Sequence, residues 1–300
     1  MFSMRKLFGL FLLAPVMLAS VSCSEAGGTK ETKAEETPVA TAKTTKAKSA
    51  KQAESKYVLP SPMEIASLIQ KTGINYTEGI LNPIERVEFY TTNYTKALNL
   101  GVYGADLGLI LVFDQTQDAI NYFTTVKTLA EELGVLSAFP QTILNRVEAN
   151  LGNRDSLLDI AGNAFADADM YLKENERNQV SALILAGGWI EALYLSTKFS
   201  NDGENKDICQ RVGEQQKSLD VLIELISNFK DVSEGYGVLY AQLEDLKSTF
   251  SKVKITYTEG PVITKDRQTI IQRKSNVEIS AEVFDEIADK VKTIREQLVN

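Results

Sequence analysis

From residue 57 onward, apolar residues recur at intervals of three and four, the spacing that lines one face of an α-helix. The clearest stripes are Ile120, Phe123, Val126, Ala130 and Leu133; Leu157, Ile160, Ala161, Ala164, Ala168 and Leu172; Ile208, Val212, Leu219, Leu222 and Ile226; and Phe284, Ile287, Val291, Ile294 and Leu298. Boundary residues divide them. Ser61, Pro62 and Glu64 predict a capped helix start that Gly73 closes, and Asn82, Pro83 and Glu85 predict a second, with no clear stop before Gly101 or beyond. Asp114 with Gln117 opens a helix that Gly134 closes, and Pro140 opens a short one ending near Gly152. Residues 177–199 and 233–251 add two more, and Ser280 caps the last. The expectation is an all-α fold, a multi-helix bundle or helical array of about nine helices.

One stretch departs from this period. Val253, Ile255 and Tyr257 alternate ahead of Glu259, Gly260 and Pro261, after which Val262 and Ile263 resume, so 253–264 predicts a short β-hairpin or extended loop between the last two helices. The surrounding segment Lys252–Lys274 carries six cations against two acids. It reads either as a solvated loop or as a docking surface for an acidic partner.

Two segments are apolar nearly all round: LNLGVYGADLGLILVF from Leu98 to Phe113, and LILAGGWIEALYL from Leu183 to Leu195. Gly101, Gly104 and Gly108 in the first, and Ala186, Gly187 and Gly188 in the second, predict helices whose backbones approach a neighbour closely. Both begin with an Ala-Leu pair about eighty-five residues apart, which hints at a duplicated helical hairpin, although no fixed period runs between them. Each carries one acid, Asp106 and Glu191, with Tyr103 and Trp189 nearby. A carboxylate in apolar surroundings either meets a partner or has a raised pKa. Tyr103, Asp106, Trp189 and Glu191 are therefore the candidate ligand pocket, in which paired carboxylates would hold a cation, an amine or a sugar stacked on Trp189. The competing expectation has Asp106 facing solvent in line with Thr92, Thr95 and Asn99, and Glu191 pairing with Lys198.

The N-terminus carries a different signal. Arg5 and Lys6 precede an apolar run from Leu7 to Val21, which is interrupted by Pro15 and shorter than the about 20 residues a bilayer-spanning helix needs, so 1–22 reads as a signal peptide. The run Ser20, Val21, Ser22, Cys23 resembles the lipobox of bacterial lipoproteins, with Ser20 where leucine is usual; small residues at Ser20 and Ser22 also suit an ordinary signal peptidase. The resemblance implies that Cys23 is lipidated and becomes the mature N-terminus. Looser lipoboxes of this kind are similar to those of Bacteroidota envelope lipoproteins. The stretch ALNLGVYGADLGLILVFDQTQDAINYF likewise resembles uncharacterised all-helical lipoproteins of that group, which implies a cell-envelope location and a helical fold but no activity. The outer membrane is favoured over the inner.

Ser24 to Lys56 is Ala, Thr, Lys and Glu with almost no large apolar residue, so it is expected to be a disordered tether with a reach of roughly 30 Å. The organisation is then a signal over 1–22, the lipidated cysteine and tether over 23–56, and one helical domain over 57–300. Removing the tether's net +2 and the signal's +2 from the chain's −8 leaves −12 for that domain. An acidic body excludes nucleic acid as a partner and leaves the lipid as the membrane contact.

No histidine occurs anywhere in the chain, which removes His-based triads, His metal ligands and the commonest general base. Cys209 is the only cysteine besides Cys23 and reads as buried and inert. No cysteine cluster or glycine fingerprint calls for zinc or a nucleotide, Asp155 with Asp159 and Asp167 with Asp169 are weak as metal ligands, the first two standing near a helix start where acids are favoured anyway, and the loop Asn201 to Asp207 lacks calcium-loop spacing, so no metal or cofactor is expected. Two functions remain. The favoured one is a non-enzymatic, membrane-tethered helical module that binds an envelope protein or a small ligand, or has a structural role. The alternative is a carboxylate-dependent hydrolase acting on glycans, which needs two acids roughly 5 to 10 Å apart across an open cleft.

Overall fold

In a computed structural model of the chain, the described residues are 62–300 except 72, 78, 140, 151–152, 201–202 and 266–267. The expected signal, Cys23 and the tether lie outside them. The chain folds as α1 (Pro62–Lys71), α2 (Asn93–Val112), α3 (Thr116–Glu132), α4 (Gln141–Ala149), α5 (Arg154–Glu174), α6 (Asn178–Lys198), α7 (Lys206–Ser227), α8 (Glu234–Phe250), β1 (Lys254–Lys265), β2 (Gln268–Glu278) and α9 (Ala281–Val299). It is an all-α fold with one antiparallel two-stranded sheet.

The two all-apolar segments are the centre of the fold, and they pack against each other as α2 and α6. Their glycines explain the closeness. A methyl group at Gly101 would land on the Ile184 carbonyl of α6, and one at Gly187 on the Leu98 carbonyl of α2. Glycine at these positions lets the two backbones meet with no side chain between them. By length and composition α6 is apolar enough to cross a membrane, yet most of it is buried inside the protein, where α2, α5, α7 and α9 pack around it.

Three local expectations need correction. Asn82, Pro83 and Glu85 do not start the long helix. They precede a short 3-10 turn over Ile84–Phe89, the chain leaves helical geometry at Tyr90, and α2 begins afresh behind Thr92. There Thr92 Oγ1 accepts from the Thr95 N–H at 3.1 Å while Thr95 Oγ1 accepts from the Thr92 N–H at 3.2 Å, a reciprocal cap that satisfies two amides. Asp114 does not open α3 either. It stands at φ 62°, a left-handed conformation that Asp tolerates, and its N–H bonds the Leu111 carbonyl, so it closes α2 instead. The hairpin is longer than 253–264, running from the Lys254↔Glu278 pair to Lys265↔Gln268, with a register shift between Glu259 and Val262. Gly260 and Pro261 fall at that irregularity, where a residue without an N–H is tolerated. The ribbon's base rests on α7, where the Val277 N–H donates to Gln210 Oε1 at 3.0 Å.

Candidate functional site

The α2–α6 seam carries the two conspicuous acids. Asp106 and Glu191 are both 0% exposed, so neither faces solvent. The cation beside them is Arg295 of α9, 9% exposed, which donates from Nε to Glu191 Oε2 at 2.9 Å and from Nη2 to Oε1 at 3.1 Å. This two-pronged pairing is the strongest geometry available to a carboxylate and a guanidinium. Arg295 also lies 4.7 Å from the centre of the Tyr194 ring, which covers its charge with a π face. Glu191 is thus paired across the fold to Arg295.

Asp106 sits behind that pair. Its Oδ2 accepts from the Asn82 N–H at 3.1 Å, its Oδ1 meets no donor, and the Glu191 carboxylate lies within hydrogen-bonding reach. Burial pushes the Asp106 pKa well above the carboxylate range, and the negative charge of Glu191 adds to this, against the opposing pull of Arg295 and the Asn82 N–H. Burial also raises Glu191, but the charge and hydrogen bonds of Arg295 oppose it. Two acids in contact beside one guanidinium hold one proton between them, and Asp106, without a cation of its own, is the one that keeps it. A protonated Asp106 is a donor for Glu191 and leaves the group electrically neutral.

Five more side chains close over this centre. The Asn82 Nδ2 donates to Tyr90 Oη at 2.9 Å and to Asn99 Oδ1 at 3.3 Å, and Asn99 Nδ2 donates to the Leu298 carbonyl at 2.8 Å. Tyr122 donates to the Asn82 carbonyl at 3.0 Å and Tyr103 to the Pro83 carbonyl at 2.8 Å. Burial raises both phenol pKa values far above neutral, so these hydroxyls remain donors. The network pins the segment before α2 to α2, α3 and α9. Trp189 lies elsewhere, its indole N–H donating to Gln215 Oε1 of α7 at 3.2 Å. Of the four candidates, then, Tyr103, Asp106 and Glu191 share one sealed polar cluster and Trp189 does not join them. Acids walled off in this way have no route to a glycan.

Arg295 was the missing member, and its signal lay on α9. It stands four residues after Val291 and three before Leu298, a cation on an otherwise apolar stripe. Elsewhere the chemistry is sparse. Cys209 is buried, its thiol donates to the Gly203 carbonyl at 3.1 Å, and burial pushes its pKa up. Among the described residues no three Cys, Asp or Glu side chains converge as metal ligands would.

A second interior feature lies on the other flank of α2. A part-enclosed cavity of about 270 Å³ opens between α2, α3, α4 and α5, with Leu107, Phe123, Phe139, Ile143, Leu157 and Phe165 among its walls. The only polar side chains at it, among the described residues, are Thr124 and Lys127 of α3. Protein interiors are otherwise close-packed. Compared with known protein families, curated proteins and solved structures, the chain matches none.

Proposed function

We propose that this chain is a membrane-tethered, non-enzymatic binding module of a bacterial cell envelope, held at the membrane through a lipid on Cys23 and spaced from it by Ser24 to Lys56. The single observation that supports binding is the apolar cavity of about 270 Å³, the kind of partly enclosed, mainly apolar space that small ligands occupy. What weighs against a carboxylate hydrolase is the burial of Asp106 and Glu191 beneath Arg295. The lipobox-like run ending at Cys23 supports the anchor, and the likeness of the signal and of the stretch from Ala97 to Phe123 to Bacteroidota lipoproteins supports the outer membrane as the surface that carries it.

Two measurements test the two halves of this reading. Growth with a labelled fatty acid labels the protein, and Cys23→Ala removes the label; label that persists in the variant refutes lipidation at Cys23. The fluorescence of the neutral ten-carbon probe 1-naphthylamine shifts to the blue with the purified chain, and Ala161→Phe, which places a ring in the cavity, removes that shift. Fluorescence unchanged by the filled cavity refutes the binding site.

A second reading concerns the ribbon. Outside Lys252–Lys274, with its net +4, residues 57–300 carry −16, so the strands are a basic arm on an acidic body. Near its base Lys217 of α7 lies 4.3 Å from the centre of the Tyr257 ring. Such an arm suits an acidic envelope protein. Oligo-glutamate binding that weakens with salt and with Lys254→Glu plus Arg273→Glu supports this reading, and binding indifferent to both removes it.

A further inference from the structure

We propose that the occupant of the cavity is the tail of a medium-chain fatty carboxylate, about ten carbons long, with its carboxylate held at the α3 rim by Lys127. This rests on the binding-module reading and names the ligand class of that same cavity. Tail length follows from volume. An apolar cavity of roughly 150 Å³ accommodates the six carbons of benzene, so 270 Å³ has room for about ten carbons and not for the sixteen or more of a long-chain lipid. The walls impose an unsubstituted tail. Leu107 and Leu111 at the α2 side, Phe139 and Ile143 across from them, and Leu157 on α5 offer no hydrogen-bonding side chain.

The rim supplies the head-group chemistry. Ile120, Thr124 and Lys127 follow one another at spacings of four and three along α3, and Ile120 is 37% exposed, so this line of side chains faces solvent where it meets the cavity. Thr124 already donates to the Ile120 carbonyl at 2.9 Å, which leaves Lys127 as the ionic donor of the rim. Its present partner is weak. Lys127 Nζ is 3.7 Å from Glu131 Oε1, with both side chains nearly half exposed, a pair that is readily exchanged for a better one. Glu132, the next acid along, is engaged at 2.9 Å by Lys96. A carboxylate at the mouth gives Lys127 a closer, charge-assisted bond anchored by the buried tail. A neutral head of the same tail gains the burial but not that bond.

Calorimetric titration of the full chain with decanoate and with decanol tests this. Decanoate is expected to bind roughly tenfold more tightly than decanol, and Lys127→Glu to remove that advantage while leaving decanol unchanged. Hexadecanoate is expected to bind more weakly than decanoate. Equal affinity for decanoate and decanol, with no effect of Lys127→Glu, overturns the carboxylate assignment while 1-naphthylamine binding still upholds the binding-module reading. Binding by neither decanoate nor decanol overturns the fatty-chain proposal, and the neutral probe then reports separately on the cavity. Lys127 is a surface residue, so its variant keeps the test valid if Ala161→Phe does not fold.

Discussion

Asp106 and Leu107 are consecutive residues of one helix, yet they face opposite kinds of interior. Asp106 enters a polar cluster in which Asn82, Glu191 and Arg295 crowd around it, whereas Leu107 lines a cavity whose polar side chains, Thr124 and Lys127, stand at its α3 rim. Burial imposes different rules on the two. A charge or hydrogen-bonding group taken from water incurs its full desolvation cost if one partner is missing, so a polar interior must be complete or absent. An apolar wall loses only weak contacts when space is left beside it, and a ligand restores them. The conspicuous acids are therefore the region completed by its own partners, and the plain apolar stripe of α3 is the region the proposed binding would use.

The largest test of this contrast removes the buried cation of the cluster. Arg295→Met leaves two acids facing each other without a counter-charge and is expected to cost about 3 to 5 kcal/mol in urea unfolding. Glu191→Gln is expected to cost less, because Asp106 can then ionise and take over the guanidinium. Equal losses from the two variants would mean that Asp106 does not share the charge. Neither variant is expected to alter 1-naphthylamine binding at a temperature where the protein is folded, since the cluster and the cavity have no side chain in common.

Adding volume separates the two kinds of packing next. Gly187→Ala drives a methyl into the Leu98 carbonyl across the α2–α6 seam and is expected to cost 1 to 3 kcal/mol or more, because backbone cannot yield as a side chain does. Ala161→Phe adds far more volume at the cavity wall and is expected to stabilise the unliganded protein by about 1 kcal/mol, part of the ~1.5 to 3 kcal/mol for a buried ring. Thermal unfolding of both variants checks the pair. A destabilised Ala161→Phe would show that the space is not there to fill.

The sequence carried these regions unequally. The stripes of α7 and α9 were legible because three- and four-residue spacing is a local property, and the closeness of α2 and α6 was legible because glycine marks the place where a side chain cannot fit. Arg295 was not, since it lies 104 residues from Glu191 and nothing local pairs them. Asn82 imitated a helix cap. With Pro83 and Glu85 behind it the residue had the right neighbours, and only the tertiary demand of Tyr90, Asn99 and Asp106 decided where its amide groups went. The cavity was invisible for a simpler reason: Ile120, Phe123 and Val126 have the same spacing whether they touch another helix or border a space.

The proton on Asp106 gives the finest test. An unfolded aspartate titrates near pH ~3.9, whereas the folded group, buried against Glu191, holds its proton well above that. Below pH ~4 both states are protonated and Asp106 adds no pH dependence. As pH rises past that value the unfolded chain releases the proton while the folded protein keeps it, so this group's contribution to stability falls by up to about 1.4 kcal/mol per pH unit until the folded pKa is reached. Asp106→Asn keeps both bonds, with its oxygen accepting from the Asn82 N–H and its amide donating to Glu191, but has no proton to retain. The variant is expected to match the natural protein near pH 3 and to become progressively the more stable of the two toward pH 7. Urea unfolding of both proteins across that range reads the difference directly. A constant gap at every pH would place an ionised Asp106 in the folded state, and with it an unpaired buried charge beside the Glu191–Arg295 pair.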